Sequence, residues 1–130
     1  MFNYDTYYVV GHDDLTKEEF ETHYVSQLNV ALDLDGNFVV NDSNECDRMT
    51  QDFLKGKTNK VTVYFAGPRP SYNSADFQTD MGYEDVEEAR RSMSYASSKD
   101  IVWERPGHDS DFVSMALASR VSIENVRKKV

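Results

Sequence analysis

His12 and His108 each stand in a polar turn beside a carboxylate, Asp13 and Asp109. Imidazole titrates near neutral pH and ligates metals as a neutral ring, so two such turns at one end of a sheet could form an acid–base pair or a His/carboxylate metal site. Helix capping and solvation account for the same residues more simply, and no metal or cofactor is assigned. Arg69, Arg90, Arg91 and Arg105 are the cations expected near the same rim, where the rigid guanidinium fork suits phosphate or carboxylate. Tyr72 and Trp103 could stack on a base, Trp103 equally being a core residue. Ser43 and Ser110 fall at expected helix starts, where serine caps the first turn. Neither lies in Gly-x-Ser-x-Gly, so serine hydrolase chemistry is not supported. His23 is expected to be solvated, and Cys46, the one cysteine, to be a small buried apolar residue that can form no internal disulfide.

The elements that must carry these groups alternate. Tyr7-Tyr8-Val9-Val10 reads as a strand ending in the turn Gly11-His12-Asp13-Asp14. Thr16-x-x-Glu19 has the form of a capping box, and Phe20, Tyr24, Leu28, Ala31 and Leu32 follow at helical spacing, which predicts one long amphipathic helix. Phe38-Val39-Val40 is a second strand, with a helix after it carrying Cys46, Met49, Phe53 and Leu54 and stopping at Gly56. Val61–Ala66 is the strongest strand, and Gly67-Pro68-Arg69-Pro70 opens a loop expected to run to about Gly82 as a lid or mobile segment. Val86, Ala89, Met93 and Ala96 mark a third helix with acids in its first turns, which the helix dipole favours. Ile101-Val102-Trp103 is another strand, followed by a turn and a helix with Phe112, Val113, Ala116 and Leu117; residues 121–126 fit a fifth strand or more helix. Strands alternating with helices imply parallel pairing with helices on both faces. The expectation is a Rossmann-like three-layer α/β/α sandwich with a mostly parallel sheet of four or five strands. Its ligand would sit at the carboxyl ends of the strands.

The 130 residues, 39% of them hydrophobic, suit a single domain spanning the chain. No apolar run approaches about 18 residues and the start lacks a signal-peptide pattern, so a soluble cytoplasmic protein with no membrane partner is expected. The net charge of −9 argues against nucleic-acid binding. The acidic surface could instead dock on a basic partner protein. Self-association through a two-fold interface is also expected, because closed dimers are the commonest oligomers.

Several segments, in order, carry a family likeness. They are Tyr8-Val9-Val10-Gly11-His12-Asp13, Phe38-Val39-Val40-Asn41-Asp42 through Asp47, Val61-Thr62-Val63-Tyr64-Phe65, and Arg91-Ser92-Met93 with Ser98-Lys99-Asp100-Ile101-Val102-Trp103 and Arg105-Pro106-Gly107. With these the chain resembles the SLOG superfamily of Rossmann-like nucleotide-binding proteins, in its short stand-alone members common in phage and bacterial genomes. The resemblance implies a nucleotide-derived ligand, and in some enzymatic branches cleavage of an N-glycosidic bond. It implies ligand contacts from Gly11, His12, Asp13, Asn41, Asp42, Ser43, Asp47, Gly67, Arg69, Arg105, Gly107 and Ser110.

Two departures from the family qualify this. The turn after the second strand is glycine-rich in the family, Gly-x-x-Gly-x-Asp, so that backbone N–H groups can approach a phosphate. Here it is Asn41-Asp42-Ser43-Asn44-Glu45-Cys46-Asp47. Its carboxylates oppose a phosphate by about 4 kcal/mol per contact at an effective dielectric near 20, unless Arg69 or Arg105 folds over it. The phosphoribohydrolase motif Pro-Gly-Gly-x-Gly-Thr-x-x-Glu is met only by Pro106 and Gly107, with Ser114 in the place of the acid. A sensor, carrier or sequestering protein is therefore expected over a catalyst, including a phage protein that sponges a host nucleotide signal. A hydrolase would need Asp42, Asp109 or Asp111 in place of the missing acid.

Overall fold

A computed structural model describes residues 4–106. The elements run β1 (Thr6–Val10), α1 (Lys17–His23), α2 (Val25–Asp33), β2 (Asn37–Val40), α3 (Glu45–Leu54), β3 (Val61–Ala66), β4 (Gln78–Tyr83), α4 (Val86–Ala96) and β5 (Lys99–Val102). The five strands form one sheet in the order β4-β3-β2-β1-β5. Every pairing is parallel, which gives the Rossmann-like α/β fold. The helix expected over Phe112–Leu117 and the strand at 121–126 lie outside the described residues.

Alternation along the strands separates two cores, because successive side chains point to opposite faces. Tyr7, Val9, Phe38, Val40, Val61 and Val63 pack with Phe20, Leu28, Ala31, Cys46 and Leu54, so α1, α2 and α3 cover one face. Tyr8, Val10, Val39 and Tyr64 pack with Ala89 and Met93, so α4 covers the other. The chain steps from β1 to β4 in one direction, then returns through α4 to place β5 on the far side of β1. The strand order therefore reverses between β1 and β5.

Two expectations are corrected. The single helix after Thr16 is two, broken at Tyr24, which serves as C-cap of α1 and N-cap of α2 at φ −114°. The hydrogen bonds from Tyr24 N–H to the Phe20 carbonyl and from Leu28 N–H to the Tyr24 carbonyl survive the bend, so the i, i+4 apolar spacing runs through it unmarked. The second correction concerns the expected loop from Gly67 to Gly82, which contains β4. That strand is an edge with mostly exposed side chains, pairing irregularly with β3 between Tyr64 and Ala66. Its Asp80 and its Gly82, at φ +102°, are breakers by composition yet tolerated on an edge.

Candidate functional site

The turn after β2 is built from hydrogen bonds that start at its own side chains. Asn41 is fully buried and donates from Nδ2 to the Tyr64 carbonyl at 2.8 Å, fastening the end of β2 to β3. Asn44, rather than Ser43, is the N-cap of α3, and its Oδ1 accepts from Asp47 N–H at 2.9 Å. Asp47 closes the capping box, its Oδ2 accepting from the Ser43 and Asn44 N–H groups, both at 3.1 Å. The same oxygen accepts from Ser43 Oγ at 3.3 Å and from the Arg90 guanidinium at 2.8 Å. Arg90 comes from α4, so this ion pair joins the helical layers of both faces over the carboxyl edge of the sheet. Asn44 also donates from Nδ2 to the Gly11 carbonyl and to Asp13 Oδ1 at 3.0 Å, locking the β1 turn to the β2 turn.

The crevice between β1 and β5, where the reversal of strand order would admit a ligand, is filled by the chain itself. His12 is buried, and its Nε2 accepts from Arg105 N–H at 2.7 Å. The Arg105 guanidinium grips Glu19 bidentately, both contacts at 2.7 Å, and reaches Asp14 at 3.2 Å. Trp103 stacks on His23 at 3.9 Å between ring centroids, so His23 is not the solvated residue expected. Tyr24 Oη donates to the Val10 carbonyl and accepts from Trp103 N–H. Arg105 is therefore a brace for this crevice. Gly11 is a packing residue, since a Cβ there would lie 2.5 Å from Tyr24 Oη and 2.7 Å from Cys46 Sγ. Burial pushes the Cys46 thiol up from its ordinary value, which makes it a poor nucleophile.

The Arg105 fork holds the Glu19 carboxyl down at about 2 from its ordinary 4.5. The unfolded chain takes up this proton as pH falls below about 4.5, while the folded chain keeps Glu19 ionised to about 2, so the bridge's contribution is present above that window and lost through it. Urea unfolding of wild type and Glu19→Gln at stepped pH should show a stability difference that shrinks from pH 5 to pH 2. A difference constant across that range would mean the bridge does not form.

The segment 67–77 is pinned rather than poised as a lid. Asp42 Oδ2 accepts from Ser71 N–H at 2.6 Å, Gln51 Nε2 donates to the Tyr72 carbonyl at 3.1 Å, and Tyr72 and Ser74 donate through their hydroxyls to Asp52. Asp42 is thus turned toward this segment. Burial raises its carboxyl above the ordinary value, opposed by the Ser71 and Tyr72 amides. Tyr72, a candidate for stacking on a base, donates its hydroxyl to Asp52. Gly67 supplies the positive φ, +84°, that ends β3, and Arg69 lies exposed just beyond it.

A hollow opens at the carboxyl rim of the described residues. It measures about 400 Å³ and is lined by Asp13 after β1, by Ser43, Asn44, Glu45 and Arg48 at the start of α3, and by Val86 at the start of α4. A larger hollow of about 600 Å³ faces the amino ends of β3 and β4, and an apolar groove of about 710 Å³ runs along α1 and α3. Neither lies at the carboxyl ends of the strands. Of the expected site residues, then, Asp13 and Ser43 line the rim hollow. Gly11, His12, Asn41, Asp42, Asp47 and Arg105 are engaged in holding it together. Gly107, His108, Asp109, Ser110 and Asp111 lie outside the described residues. The expected list omitted Asn44, Glu45, Arg48 and Val86. The Asn44-x-x-Asp47 spacing was the available signal, since it places an N-cap there and hence the mouth of the hollow. No group of three or more His, Cys, Asp or Glu among the described residues could hold a metal ion. No helix among them is long and apolar enough to cross a membrane. No family model, curated protein or solved structure matches this chain, so its functional reading rests on the geometry of this rim.

Proposed function

We propose that the protein binds a nucleotide-derived small molecule in the hollow at the carboxyl ends of β1 and β2, as a sensor, carrier or sequestering protein. The observation carrying this reading is that three separate segments, the turn after β1 and the starts of α3 and α4, deliver Asp13, Ser43, Asn44, Glu45, Arg48 and Val86 to one cleft. Open parallel α/β sheets bind ligands at this rim, and a few convergent polar groups beside an apolar one are what orient a small molecule. The resemblance to SLOG proteins points to the same ligand class. The cleft holds acceptors, donors and one apolar wall, and the groups around it are fixed by hydrogen bonds, which suits recognition better than turnover.

A thermal-shift panel of nucleosides, nucleotides, nucleotide sugars and cyclic dinucleotides tests the reading, together with native mass spectrometry of protein purified from cells. At least one compound should raise the Tm, and Asp13→Ala should reduce that rise. A flat panel, with no retained small molecule in the mass spectrum, would overturn it.

A further inference from the structure

We infer that the rim cleft selects the unphosphorylated form of its ligand, a nucleoside rather than the corresponding nucleotide. This rests on the small-molecule reading above and goes further by naming which end of such a molecule the cleft accepts.

The position an oxyanion would take at the first turn of α3 is held by the protein's own carboxylate. The amides of Ser43 and Asn44, the Ser43 hydroxyl and the Arg90 guanidinium all converge on Asp47 Oδ2. These are the donor types that bind phosphate at helix N-termini elsewhere. Asp47 is 1% exposed and its partner Arg90 is 4% exposed, so an incoming phosphate would have to displace a buried ion pair to reach them.

Of the other rim cations, Arg105 is held by two carboxylates, while Arg48 and Arg91 sit in exposed ion pairs. Arg48 pairs with Glu45 at 2.8 Å, Arg91 with Glu87 at 3.4 Å, and Arg105 with Glu19 and Asp14. Arg69 is the one arginine without an ion pair among the described residues, and it does not line the cleft. The charged groups lining the cleft are Asp13, Glu45 and Arg48, two carboxylates to one cation, and Glu87 and Glu88 follow Val86 in the first turn of α4. Carboxylates are acceptors only. They suit the hydroxyls of a ribose or the amino group of a base, and they repel a phosphate.

Titration calorimetry of the full chain with adenosine, guanosine, cytidine and uridine, each against its 5′-monophosphate, tests this. The nucleoside that binds best should do so about tenfold or more tightly than its monophosphate. Asp47→Asn keeps an acceptor for the two amides but removes the charge opposite Arg90, so the gap should narrow by a similar factor. Glu45→Gln, an exposed change that leaves the Asp47 cluster intact, should weaken the nucleoside several-fold, which keeps the idea testable if Asp47→Asn does not fold. Tighter binding of a monophosphate to wild type, or an unchanged gap in folded Asp47→Asn, would overturn the inference and leave the small-molecule reading standing. If no compound binds, the small-molecule reading falls, and this inference with it.

Discussion

Asp47→Ala is expected to destabilise the fold by about 3–5 kcal/mol, the cost of removing one partner of a buried ion pair. The Asp47 side chain is fully shielded from solvent and that of Arg90 is 5% exposed. Their pairing therefore has little water to screen it, and the guanidinium would be left in place without the carboxylate it faces. The change also strips the acceptor from the Ser43 and Asn44 N–H groups, so the capping box of α3 keeps only the bond from residue 47 N–H to Asn44 Oδ1. Asp47→Asn should cost less, because an amide oxygen can still take the two backbone donors. Arg90→Leu should cost less when combined with Asp47→Ala than alone, since the pair is then removed whole, and a double-mutant cycle in urea would show this coupling. If Asp47→Ala costs under about 1 kcal/mol, the guanidinium has found water, and the pair is not the buried clasp between α3 and α4 described above.

That clasp also explains which parts of the molecule were legible in the sequence. Strands β1, β2 and β3 and helices α3 and α4 were readable because each is an apolar run or an apolar stripe of the right period, and burial on one face demands that period. The edge strand β4 was not, because Gln78-Thr79-Asp80-Met81-Gly82-Tyr83 owes its pairing to β3 rather than to any apolar pattern of its own. The bend at Tyr24 was hidden for the opposite reason, the apolar spacing being intact across it. At the rim, residue types pointed to the right neighbourhood. What they could not tell is which carboxylate faces a ligand and which faces an arginine. Arg105 and Asp47 look like ligand residues in a list. Three-dimensional pairing assigns one to Glu19 and the other to Arg90, partners 86 and 43 positions away in the chain. Contacts that distant leave no local signature.

Gly11→Val is the second large effect expected, a loss of about 3 kcal/mol or more, with Gly11→Ala costing about 1–3 kcal/mol by overpacking. A glycine after β1 in a Rossmann-like fold is ordinarily read as leaving room for a ligand. Here the room is taken by protein. A Cβ would meet Tyr24 Oη at 2.5 Å, Cys46 Sγ at 2.7 Å and Cys46 Cβ at 3.1 Å, and both side chains are fully buried. Neither can yield cheaply. Tyr24 Oη is tied to the Val10 carbonyl at 2.8 Å and receives Trp103 N–H at 3.1 Å, while Cys46 is fixed at the start of α3. Tyr24→Phe removes the atom of closest approach, so Gly11→Ala should cost less in that background than in wild type, even though Tyr24→Phe is itself destabilising through its lost hydrogen bonds. Urea unfolding of the four proteins measures both terms. If Gly11→Ala instead leaves stability unchanged and abolishes the ligand-induced rise in Tm, the glycine makes room for the ligand rather than for Tyr24 and Cys46. The β1 turn would then belong to the site and not to the core beneath it.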